Sequence, residues 1–181
     1  EYEGTGSNTS VGHGLSAAPE LVITKRTDTV ANWTVGQFAA LGNDGYLKLN
    51  TTDSKITATN VWNDTAPTSA VVNIGTSSAT NTSGGEYISY CFHSVSGYSK
   101  IGSYAGNGTS QTITTGFQPD FVMLRKYDDN QDWMIWDSVR DGNPKTKRLE
   151  ANNSDAEVSE TTNINFISTG FELTTSYYND S

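Results

Sequence analysis

The chain alternates short runs of apolar and polar residues with clusters of turn formers. The runs "ELVITKR" (20–26), "GYLKLN" (45–50), "SAVVNIG" (69–75), "EYISYCF" (86–92), "GYSKIGSY" (97–104) and "QTITTGF" (111–117) share this pattern. So do "DFVMLRKY" (120–127), "DWMIWDS" (132–138), "KRLEAN" (147–152), "NINFIS" (163–168) and "GFELTT" (170–175). Each is four to eight residues long, rich in β-branched and aromatic side chains and flanked by Gly, Asn, Asp, Ser or Pro, which predicts strands. "NDG" (43–45), "TGF" (115–117), "DGNP" (141–144) and "STGF" (168–171) predict turns, because Gly and Asn accept positive φ and Pro fixes it. No window carries sustained 3.6-residue apolar periodicity with caps. An all-β, antiparallel β-sandwich of jelly-roll type is expected.

Within "DWMIWDS", Asp132, Met134 and Trp136 share one face, and Trp133, Ile135 and Asp137 the other. Apolar residues on both faces predict a central strand with solvated ends.

An internal repeat organises the pattern. "APELVITKRTDTVANWTV" (18–35) lies over "QPDFVMLRKYDDNQDWMI" (118–135) at an offset of 100 without a gap. "GTGSNTSVGHGL" (4–15) lies over "GNGTSQTITTGF" (106–117), and "YLKLNTTDSKI" (46–56) over "RLEANNSDAEV" (148–158), both at 102. Trp33 thus matches Trp133 and Asn50 matches Asn152, whereas Trp136 meets Gly36 only loosely. The expected organisation is a first repeat at 1–102 and a second at 103–181, either as two small sandwiches in series or, the preferred arrangement, as one compact jelly roll with a pseudo-twofold. The second repeat stops where a final strand resembling "YISYCF" would begin. A piece of a tandem array is one expectation. A strand supplied by a neighbour, next to residues 171–173, is the other. "EYEGTGS" has no initiator methionine, which fits a processed chain or part of a longer one.

Composition narrows the class. Hydrophobic residues make up 34% and charged residues 17% of 181 residues, the rest being dominated by Ser, Thr, Asn and Gly. That balance suits the outer faces of extracellular or virion β-proteins. A net charge of −9 disfavours nucleic acid and anionic membrane surfaces. No apolar run approaches the ~20 residues of a spanning helix, so no membrane insertion is expected. The single Cys91 excludes an internal disulfide.

Candidate chemistry is sparse. Two carboxyls about 5 to 5.5 Å apart would serve a retaining glycosidase, yet no Glu-x-Asp-x-Glu run occurs. Asp137 and Asp141 in "DSVRD" read as loop-holding residues with Arg140 as bridge, and no catalytic residue is assigned. "YDDNQD" offers Asp128, Asp129, Asn130 and Asp132 as oxygen ligands for Ca2+, against the simpler reading of a solvated turn. His13 and His93 have no partners at metal spacing. Trp33 and Trp133 read as core. Trp62, in polar "TNVWNDTAPT", followed by Tyr177 and Tyr178, are the candidates for stacking on a sugar. Eight N-x-S/T sequons run from Asn8 to Asn179, as expected by chance in an Asn- and Thr-rich chain.

"GLSAAPELVITKR", "LNTTDSKI", "GGEYISYCFHSVSGYSKIGSYAGNG", "GFQPDFVMLRK" and "DWMIWDSVR…KRLEANNSDAE…FISTGFEL" together resemble a repeated domain of unknown function. That domain recurs in tail-associated and other structural proteins of bacteriophages, marine ones especially. The resemblance covers nearly the whole chain. It implies a concanavalin-like sandwich on the virion surface, non-enzymatic, oligomeric in the particle, with other virion proteins or copies of itself as partners. A lectin-like module for host surface glycans is the alternative.

Overall fold

The structure, a computed structural model, describes residues 1–174, without the side chains of 160–163. It is nearly all β, and among the described residues the strand pairings are antiparallel. Two compact units are present: Glu1–Ser94 with Tyr127–Asn130, and Val95–Lys126 with the chain from Gln131 onward.

In the first unit the strands are β1 (Tyr2–Glu3), β2 (Thr9–Gly12), β3 (Leu21–Arg26), β4 (Trp33–Gln37), β5 (Gly45–Lys48), β6 (Ile56–Thr57), β7 (Val71–Ile74) and β8 (Glu86–Phe92). A single helical turn, α1 (Phe38–Leu41), follows β4. Six strands form a sheet in the order β1-β8-β3-β4-β5-β6, and β2 pairs with β7 apart from it. Val22 of β3 packs with Val72 and Ile74 of β7 and with Val61 and Trp62 from the β6–β7 connection. The small sheet therefore covers the large one, in the manner of a β-sandwich.

The second unit contains β9 (Gln111–Thr114), β10 (Phe121–Leu124), β11 (Met134–Asp137), β12 (Lys145–Glu150), β13 (Val158–Ile167) and β14 (Gly170–Leu173). They form one sheet in the order β10-β11-β12-β13-β14-β9. Its apolar face closes on itself: Val122 and Trp136 meet Ile164, Phe166, Phe171 and Leu173 in one cluster.

The registers correspond. Val22 pairs with Gly36 and Ile23 with Val35; Val122 pairs with Trp136 and Met123 with Ile135. Val35 pairs with Leu47, and Ile135 with Leu149. Tyr46 pairs with Ile56, and Arg148 with Val158. Each residue of these pairs in the second unit lies 100 or 102 positions after its counterpart in the first.

Two expectations are corrected. "GYSKIGSY" (97–104) is not a strand; only a Val95–Ser99 bridge forms nearby. Its last residue matches Tyr2 of β1, which is held by pairing with β8. The open edge expected beside 171–173 is not there either, because β14 lies between β13 and β9.

Candidate functional site

The sequence points to four places: the acidic "DSVRD" turn, the "YDDNQD" loop, the aromatic positions and the histidines. Each is built by its backbone.

At the end of β11, Asp137 Oδ1 accepts the N–H groups of Val139 and Arg140 at 3.0 and 2.8 Å. Its other oxygen takes the Arg140 guanidinium, which also reaches Glu157 at 2.9 Å. The Arg140 side chain, followed by these backbone donors, holds the Asp137 carboxyl below the usual carboxylate range. Position 37 performs the same task with an amide: Gln37 Oε1 accepts the Ala40 N–H at 2.6 Å and caps α1. A residue that an uncharged side chain replaces in the equivalent turn is a cap.

Asp141 is more heavily engaged. Its Oδ2 accepts from Thr146 N–H, from Thr146 Oγ1 at 2.7 Å and from Lys147 N–H at 2.9 Å, and its Oδ1 from Gly142 N–H at 2.8 Å. The Thr146 hydroxyl first, then these backbone donors, pull its pKa from 3.8 to about 2. Buried Lys145 anchors the same loop, its Nζ donating to Asp141 O at 2.9 Å while lying 5.0 Å from the centre of the Phe166 ring. Neither carboxylate is set up as a proton donor near neutral pH, which a glycosidase acid requires.

The "YDDNQD" oxygens also have local partners. Asp129 Oδ1 accepts the Asn130 N–H at 2.7 Å, and Asn130 Oδ1 accepts the Ser54 N–H at 2.9 Å. Asp132 Oδ1 accepts from Asn152 Nδ2 at 2.8 Å, while Asp128 is exposed. Among the described residues no group of three or more His, Cys, Asp or Glu is gathered as a metal site.

Trp62 corrects the aromatic expectation. It is 0% exposed, packed edge-on against Phe38 with ring centres 5.7 Å apart. The polar segment that carries it folds inward at this residue, so its ring is no platform for a sugar. Its Nε1 is buried without a hydrogen-bond partner among the described residues. Tyr177 and Tyr178 lie outside the described residues. Trp33 is half-buried and stacks on Tyr90 at 6.4 Å, and Trp133 is buried.

His13 is a turn residue. Its Nδ1 accepts the Leu15 N–H and its Nε2 lies 3.0 Å from Thr68 O. The matching Thr115 accepts from Phe117 N–H by its hydroxyl. Burial pushes the Cys91 thiol up, away from thiolate reactivity.

Sequence reasoning missed the asparagines that hold the frame. Asn50 Oδ1 accepts the Trp33 N–H at 2.9 Å and Asn152 Oδ1 the Trp133 N–H at 2.7 Å. Asn50 Nδ2 donates to Asn32, as Asn152 Nδ2 donates to Asp132, both at 2.8 Å. The Asn50–Asn152 match was the available signal. Fully buried Asn81 links Thr5, Ser7 and Gly75 backbone groups. No signal marked it beyond its place in a turn-rich run.

One concavity of about 300 Å³ opens in the first unit, lined by Arg26, Thr29, Tyr46, Lys48 and Ser78 among others. Arg26 is paired with Asp28 at 2.6 Å and Lys48 with Asp53 at 2.7 Å, so its cations are neutralised at its rim. Bare apolar residues stand instead at loop tips: Val30, Tyr98 and Val139 are largely or fully exposed.

A family model described as "Domain of unknown function (DUF7483)" matches residues 1–181. No curated protein and no solved structure matches the chain.

Proposed function

We propose that this chain, which belongs to that family of unknown function, is a non-enzymatic display scaffold: a duplicated, jelly-roll, concanavalin-like β-sandwich on a bacteriophage particle. The observation that carries the reading is the pair of turns at 37–41 and 137–141. Both are capped by the side chain at the first position, one amide and one carboxylate. The acidic residues best placed for chemistry are thereby spent on geometry. Matching registers in β3–β4–β5 and β10–β11–β12 support the duplication. Apolar residues at loop tips support a display role, since a stable frame leaves such residues bare where something else covers them. The resemblance of the sequence to virion modules supplies the setting, and multivalent presentation would make weak loop contacts useful.

Immunogold labelling tests this. An antibody against residues 1–181 is expected to decorate the surface of intact particles. Absence of label on particles, with the antigen recovered only in infected-cell lysate, contradicts it. The glycan-binding alternative loses its leading residue with Trp62 buried.

A further inference from the structure

In the first unit β8 fills a slot between β1 and β3. It pairs Phe92 with Leu21, Cys91 with Val22 and Tyr90 with Ile23. On its other side Tyr87 pairs with Tyr2, the two rings stacked at 5.2 Å. In the second unit β10 carries the positions of β3, and Tyr104, the match of Tyr2, packs against the core cluster. Among the described residues no strand lies on the free side of β10.

The free edge has a defined polarity. In an antiparallel pair, successive residues direct their N–H groups to opposite sides. Thr27 donates to Glu86 O, so Leu21, Ile23 and Lys25 face β8. Ser138 donates to Asp120 O, so Val122 and Leu124 face β11. Phe121 and Met123 consequently direct their N–H groups outward along the edge. The Phe121 side chain is 57% exposed beside them. A row of free donors and acceptors flanked by apolar side chains is a template for strand addition.

We infer that the β10 edge docks an extended strand of the β8 kind, with alternating aromatic and small residues, supplied by another polypeptide segment. The inference rests on the duplicated-scaffold reading. Docked in the β8 register, the strand sets its Phe92 position opposite Phe121, its Cys91 position opposite Val122 and its Tyr90 position opposite Met123. A second intact copy is a poorer donor, because its own β8 is hydrogen-bonded on both sides.

The test uses a fluorescent peptide of residues 85–93, GEYISYCFH with Cys91→Ser, titrated into the chain and read by anisotropy and by amide exchange. Saturable one-to-one binding is expected, with the Phe121 and Met123 amides becoming protected and a scrambled peptide inert. Met123→Pro removes a donor on the open side only, which edge strands tolerate. It is expected to weaken binding at least about tenfold, the worth of roughly one well-made interaction, while the circular dichroism spectrum stays unchanged. Should that variant not fold, Phe121→Lys, a change at an exposed side chain, is expected to give the same loss. No binding to the unaltered chain, equal binding to the folded Met123→Pro variant, or self-association that blocks the peptide overturns the inference. The assay is read on the chain in solution, so failed particle labelling and failed docking are separate results.

Discussion

Positions 36 and 136 occupy the same place in the two units, opposite Val22 and Val122, and hold the smallest and the largest side chains. Where β11 carries Trp136, buried in the core of its unit, β4 carries Gly36, and an indole arrives from elsewhere. A Cβ built on Gly36 would stand 2.9 Å from Cε2 and Cζ2 of Trp62. The first unit thus fills this part of its core from the β6–β7 connection, and the second from the strand itself. The backbone reflects the exchange. In the second unit β13 runs on to join β14, giving one sheet, whereas in the first the segment after β6 turns inward with Trp62 and β2–β7 stays separate. An indole fills the core in each unit but comes from a different segment, in keeping with close packing.

The comparison can be broken by exchanging the partners. Trp136→Gly leaves a void in the core and is expected to cost the most, about 4 kcal/mol by urea denaturation. Gly36→Trp forces two indoles into one space and is expected to cost about 3 kcal/mol. Adding Trp62→Ala to Gly36→Trp should recover part of that loss. Simple additivity of the two single changes would show that the side chains do not share a space.

Turn capping sharpens the same comparison. Asp141→Ala removes the acceptor of the loop before β12 and is expected to cost about 1–2 kcal/mol at pH 7. The folded carboxyl protonates near pH 2 and the unfolded one near 3.8. Its stabilisation is therefore complete above about pH 4 and is lost as pH falls through 2. The gap between Asp141→Ala and the unaltered chain should close over that window, and a gap constant down to pH 2 would assign the loss to packing. Smallest of all, Asn50→Ala is expected to cost about 1 kcal/mol and Asn152→Ala somewhat more, because Asn152 donates to the Asp132 carboxylate where Asn50 donates to the Asn32 amide. A threefold disparity would show that the shared hydrogen bonds to Trp33 and Trp133 do different work.

Much of this was legible in the sequence. Short apolar runs bounded by turn formers marked β3, β10 and β11. Trp62 was misread because its neighbours are polar. Its burial follows from the space left at Gly36, whose added Cβ would stand 2.9 Å from the Trp62 ring. β2 escaped notice because "TSVG" is small and weakly apolar, although its match "QTIT" was read as a strand. "GYSKIGSY" was misread in the opposite sense: it has strand composition, but no named strand forms over 97–104. The acidic turn was read correctly as a loop-holding feature, since Asp137 and Asp141 are spaced for backbone donors.

The most direct measurement is the cross-strand Hα–Hα nuclear Overhauser effect. Thr34 and Lys48 form a pair that exchanges no hydrogen bonds, flanked by the bond from Leu49 N–H to Trp33 O. Met134 and Glu150 form the same kind of pair, flanked by the bond from Ala151 N–H to Trp133 O. Such pairs bring their α-carbons closest, so one strong effect is expected between Thr34 and Lys48 and another between Met134 and Glu150. A strong effect in one unit with its counterpart shifted by a residue would contradict the account of one sheet framework used twice.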